Sequence, residues 1–169
     1  MYSTQVSQRI HAPRPAVYRA LLDAEAIAKW RVPDGMRSRV HEFNGREGGA
    51  FRVSLTYDAP DRSGKSSSRT DTYHGYFRKL VPDLEVVEVL EFETEDPALA
   101  GTMTMTTTLN DADDATDVLV VLEGMPDAVP AADNEMGTRM ALARLAELVE
   151  AREGPGRVQV GSARSLAKR

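Results

Sequence analysis

The stretch ADNEMGTRMALARLAELVE, Ala132 to Glu150, reads as one long helix, and its uneven inner face decides the architecture. At about 100° per residue, Ala141, Leu142, Leu145, Leu148 and Val149 share an arc about 120° wide, the width of a core-facing stripe. Asn134, Gly137 and Thr138 fall in or beside that arc, nearer the helix start. Gly137 costs about 1 kcal/mol of helix propensity relative to alanine, and unpaired polar groups in a dry core are costly. The pattern predicts a helix whose C-terminal half seals a core and whose N-terminal half roofs a cavity. The competing explanation is close approach, with Gly137 making room for a large side chain such as Trp30 or Phe51.

Such a helix needs a sheet to cover, and the preceding sequence supplies one. Thr4 to Ile10 reads as a strand. Two short helices follow: the first begins at HAPRPAVYRALLD, with Pro13 and Pro15 in its first turn, and the second runs from Ala24 to Trp30. The period then drops to two. MRSRVHEF (Met36 to Phe43) meets AFRVSLTY (Ala50 to Tyr57) across NGREGG, and TDTYHGYFRKL, LEVVEVLEFET, GTMTMTTTL and ATDVLVVLE continue in meander spacing. Strands and helices are segregated, so the expected class is α+β: a curved antiparallel sheet of about seven strands wrapped around a long C-terminal helix.

The totals are consistent with one domain. The chain has 169 residues and no cysteine, which removes disulfides and thiolate metal sites and suits a reducing compartment; a cytoplasmic location is the expectation. No apolar run approaches the ~20 residues that span a bilayer, and MYSTQVSQRI lacks a secretory layout. The formal charge of −5 is unevenly placed. After Glu153 stand four cations (Arg157, Arg164, Lys168, Arg169) and no acid, which leaves 17 basic against 26 acidic residues, −9, before them. An acidic body argues against a nucleic-acid partner. Residues 1–152 are therefore expected to form the domain, and 153–169 a basic, disordered tail.

In this layout the chain resembles the START-like (SRPBCC) superfamily with the helix-grip fold of the birch-pollen allergen, and within it the branch named for the activator of the heat-shock-protein-ninety ATPase. The resemblance rests on IHAPRPAVYRALLDAEAIAKWRVPDGM, GGAFRVSL, YHGYFRKLVPDLEVVEVLEF, GTMTMTTTL and EGMPDAVPAADNEMGTRMALARLAELVE, about residues 4 to 152. It implies the fold strongly and the function weakly, because the superfamily spans lipid carriers, hormone receptors and aromatase/cyclases.

Chemistry has few candidates. His11, His41 and His74 stand on separate segments without metal-ligand spacing, and there is no phosphate loop or nucleophile elbow, so neither metal nor cofactor is called for. Acid–base work is the remaining enzymatic option. If the VPD turn pairs Leu80 with Val86, the register sets Arg78 opposite Glu88, Tyr76 opposite Leu90 and His74 opposite Phe92. A wet cross-strand ion pair is the plainer reading of Arg78 and Glu88. The candidate catalytic set is His74, Tyr76, Arg78 and Glu88.

The expected cavity lining is Trp30, Met36, Phe51, Val53, Tyr57, His74, Met103, Met105, Asn134, Gly137, Thr138 and Ala141, with Met136 and Met140 near the mouth. Methionine repacks around varied apolar shapes, which suits a small hydrophobic or aromatic guest. Binding of such a guest is the leading expectation. An aromatase/cyclase-like enzyme and a chaperone-regulating interaction domain are the alternatives, and a homodimer is an open option.

Overall fold

A computed structural model describes the backbone of residues 1–59, 64–66 and 69–167, with side chains to Glu153. The elements are β1 (Tyr2–Ile10), α1 (Arg14–Leu21), α2 (Ala24–Trp30), β2 (Met36–Phe43), β3 (Ala50–Tyr57), β4 (Thr70–Val81), β5 (Glu85–Phe92), β6 (Met103–Ala112), β7 (Ala115–Met125) and α3 (Ala131–Ala167). The expectation for the basic tail falls outside the described side chains. Among the described residues, no helix is long and apolar enough to cross a membrane.

One seven-stranded antiparallel sheet carries the fold, in the order β1-β7-β6-β5-β4-β3-β2. Strands β2 to β7 form a meander, and β1 closes on β7. The α1–α2 pair therefore connects the two edges of the sheet. Local signals explain the joins. Pro13 is the N-cap of α1 in extended conformation, and Asp23 caps α2 by accepting from the Glu25 N–H. Gly48, in the loop before β3, has φ +79, and Asp83, in the VPD turn, has φ 64.

The inner face of the sheet holds α3, which packs on β1 and on both short helices. Leu142, Leu145, Ala146 and Val149 are buried there with Val6, Ile10, Val17, Ala20 and Ile27. In the same core, toward the β2–β4 end of the sheet, the aromatic rings cluster: Phe51 meets Tyr73 and Phe77 at ring-centroid distances of 6.1 and 5.2 Å, and Phe43 meets Phe77 at 5.6 Å. Gly75 sits against this cluster. A Cβ at that position would collide with the Val89 carbonyl oxygen and the Phe51 ring, so glycine is required by close approach.

One register expectation is corrected. Leu80 does pair with Val86, but a β-bulge at Arg78 shifts everything beyond it by one residue. Phe77, not Arg78, stands opposite Glu88; Tyr76 opposes Val89, His74 opposes Glu91, and Tyr73 opposes Phe92. The cause is legible in packing terms. Phe77 is buried in the core and Leu80 packs against it, although the two are three residues apart. A regular strand cannot send both to one face, and the extra residue restores the phase.

Candidate functional site

A cavity of about 580 Å³ lies between the sheet and the N-terminal half of α3. Its floor is the inner face of the sheet: Leu55 and Tyr57 on β3, Tyr73 on β4, Val86, Glu88, Leu90 and Phe92 on β5, Met103, Met105 and Thr107 on β6, Val120 and Leu122 on β7. Trp30, Arg31, Pro33, Asp34 and Met36 form one wall. The roof is α3 itself, through Asp133, Asn134, Met136, Gly137, Thr138, Met140 and Ala141. The size and the mainly apolar lining fit a small organic guest.

Gly137 opens this space. A Cβ there would meet only the Pro33 side chain, at 3.8 Å, so neither Trp30 nor Phe51 needs the missing side chain. Asn134 and Thr138 find their partners in the protein. Thr4 Oγ1 donates to Asn134 Oδ1 at 2.6 Å, and Thr138 Oγ1 donates to the Asn134 carbonyl at 2.9 Å. Asn134 thus ties the start of α3 to β1 while lining the cavity. Trp30 also does two things: its ring lines the wall, and its indole N–H donates to the Ala20 carbonyl at 2.9 Å, joining α2 to α1.

The polar centre of the cavity is Arg31 with Glu88. Arg31 Nη1 donates to Glu88 Oε1 at 2.7 Å, Nη2 approaches the Met105 sulfur at 3.8 Å, and the guanidinium carbon stands 5.1 Å from the Tyr73 ring centre. The Arg31 side chain is 15% exposed and that of Glu88 5%. Burial works against the Arg31 charge, yet the Glu88 carboxylate, the neighbouring Tyr73 and the hydrogen bond to Glu88 hold it above the ordinary arginine value. Burial pushes the Tyr73 phenol up, with Arg31 pulling the other way, and its hydroxyl is buried without a hydrogen-bond partner. A second pair, Lys65 Nζ to Asp71 Oδ2 at 2.8 Å, lies on the lining near Phe92, whose ring centre is 5.0 Å from the ammonium.

The model of the family described as Activator of Hsp90 ATPase homolog 1-like protein matches residues 11–150. The chain belongs to this family. A crystal structure of a Chromobacterium violaceum protein is 32% identical over 88% of this chain and 96% of its own, with a TM-score of 0.77. A Rhodobacter sphaeroides protein (17% identity, 89% of this chain and 93% of that one, TM-score 0.74) shares the fold. So does an AHSA1-like protein from Aeromonas hydrophila (17%, 88% and 94%, 0.62). No match was found among curated proteins.

Nine of the twelve lining residues expected in this AHSA1-like domain are on the cavity wall: Trp30, Met36, Tyr57, Met103, Met105, Asn134, Gly137, Thr138 and Ala141. Met136 and Met140 join them, Met136 being 56% exposed at the mouth. Phe51 and Val53 are not on the wall; they are buried beneath it in the aromatic cluster and the core. His74 is not there either. It stands outside, 42% exposed at its side chain, with Nδ1 3.0 Å from Glu93 and Nε2 2.9 Å from Glu91. Tyr76 and Arg78 are exposed as well. Of the four acid–base candidates the bulged strand leaves only Glu88 inside, and its partner is Arg31 rather than Arg78.

Arg31 and Tyr73 are polar cavity residues that the sequence does not point to. Arg31 belongs to the breaker segment RVPDGM, where a cation looks like ordinary loop polarity. The available signal is Glu88 itself, which shares a strand face with Val86, Leu90 and Phe92. A carboxylate on such a face requires a cation from elsewhere in the chain.

Proposed function

We propose that this AHSA1-like domain binds a small apolar or aromatic molecule between the sheet and the N-terminal half of α3. The observation that carries this reading is the cavity of about 580 Å³, roofed where the helix has Gly137 in place of bulk. Apolar walls supply affinity through burial, and the Arg31–Glu88 pair is a fixed polar feature against which a guest is oriented. The four methionines Met36, Met103, Met105 and Met140, with Met136 at the mouth, give the lining a conformable surface.

The acid–base alternative rests on Glu88 alone among the four candidates, and the pairing with Arg31 makes positioning the role its geometry favours. The chaperone-regulating alternative calls for a filled interior, and the open cavity supports the binding reading over it.

Titration with Nile red, a neutral apolar dye, tests the proposal. Trp30 is the chain's only tryptophan and lines the wall, so its emission reports the same site. Saturable dye fluorescence, with a Trp30 change of the same midpoint, is the expected result. Dye fluorescence that rises without saturation and leaves Trp30 unchanged would overturn it.

A further inference from the structure

Two cations line the cavity among the described residues, Arg31 and Lys65, and each is matched by a buried carboxylate, Glu88 at 2.7 Å and Asp71 at 2.8 Å. Two more acids, Asp34 and Asp133, lie on the same lining. Asp34 has a partner, Arg144 at 2.8 Å, on the outer side of α3. A carboxylate or sulfonate entering this cavity meets Arg31 only together with Glu88. It loses water and gains a like-charge neighbour, a juxtaposition that discriminates strongly at low dielectric.

Arg31 is nonetheless equipped to bind an oxygen. Among the described residues its Nη2 has only the Met105 thioether, at 3.8 Å, and sulfur is a weak acceptor. A neutral carbonyl, ether or phenol oxygen that displaces the sulfur makes the stronger bond and brings no charge toward Glu88. We propose that the cavity excludes anions and selects an apolar guest carrying a neutral oxygen acceptor, with Arg31 as the group that reads the oxygen and Glu88 as the group that rejects the carboxylate. The inference rests on the binding reading above and adds the chemical class of the guest.

The test compares two probes of one carbon skeleton, 2-naphthol and 2-naphthoate, by calorimetry at pH 7, where the first is neutral and the second an anion. Wild-type protein is expected to bind 2-naphthol on the order of tenfold or more tightly than 2-naphthoate. Glu88→Gln keeps the shape and an acceptor for Arg31 but frees its charge, so the preference is expected to collapse or invert. The double variant Arg31→Gln/Glu88→Gln leaves no unpaired charge. It is expected to bind 2-naphthol several-fold more weakly, because the guanidinium that reads the oxygen is gone, and to bind the two probes within a few fold of each other; it serves if the single variant does not fold. Equal affinity for the two probes, or a preference for 2-naphthoate in the wild type, would overturn the anion exclusion while Nile red binding still stood. Loss of Nile red binding together with both naphthalenes would instead bring down the binding reading itself.

Discussion

From Ala141 to Val149, α3 buries Ala141, Leu142, Leu145, Ala146 and Val149; from Ala131 to Met140, it buries no residue fully. Both stretches belong to one helix and cover one sheet. The C-terminal stretch closes a core with β1 and the short helices. The N-terminal stretch is tied to β1 through Asn134, and with no side chain at 137 the space between it and the sheet stays open. The difference shows how one element can seal a core along one half and leave a cavity under the other.

The largest effect expected from breaking this division is in the sealed half. Leu145 is fully buried, so Leu145→Ala is expected to cost roughly 2–5 kcal/mol in chemical denaturation, the range for truncations that leave a cavity. Gly137→Ala in the open half is expected to move the other way. Its Cβ meets only Pro33 at 3.8 Å, so the gain is about 1 kcal/mol of helix propensity. A destabilised Gly137→Ala variant would show that the roof is closely packed after all.

Much of this division is legible in the amino-acid sequence. The helix stripe and the small and polar residues at 134, 137 and 138 follow from spacing along a single element. What stays hidden depends on contacts between elements. The bulge at Arg78 reverses His74, Tyr76 and Arg78 relative to β5, and its only trace in sequence is that Phe77 and Leu80 are out of phase by one residue. Arg31 reaches a partner 57 positions away, a pairing that no local pattern specifies.

Tyr73 sharpens the comparison further. Its hydroxyl is buried and unpartnered, so Tyr73→Phe is expected to leave stability unchanged or raise it by up to about 1 kcal/mol. The pH dependence has a definite sign. Burial raises the phenol above its usual value of 10.0, so the folded state holds this proton more tightly than the unfolded state. Stability is complete below the unfolded value and falls as pH rises through the range up to the folded one. The alkaline loss should be smaller in Tyr73→Phe, as followed by denaturation between neutral and strongly alkaline pH.

The smallest effect belongs to the outer face. Glu93 is held below the ordinary carboxylate range by its hydrogen bond from Arg52 (2.7 Å), which outweighs the opposing effect of burial, with the contact to His74 adding to the lowering. Its contribution is present above the unfolded carboxylate value and fades as pH falls through the folded one. Glu93→Gln is expected to flatten acid-side stability by a few tenths of a kcal/mol at most, as exposed pairs do. It should leave Nile red binding untouched. Altered dye affinity in Glu93→Gln would couple the outer face to the cavity and blur the division between them.

The most direct measurement is Nile red affinity in Gly137→Leu beside Gly137→Ala and the wild type, with thermal unfolding recorded on all three. Leucine projects from the roof into the space that glycine leaves, whereas alanine scarcely enters it. Dye affinity reduced at least about tenfold in Gly137→Leu, with the fold intact and Gly137→Ala near the wild type, is the result expected if the N-terminal half of α3 roofs a binding site. Undiminished saturable binding in a folded Gly137→Leu variant would place the dye elsewhere and contradict it.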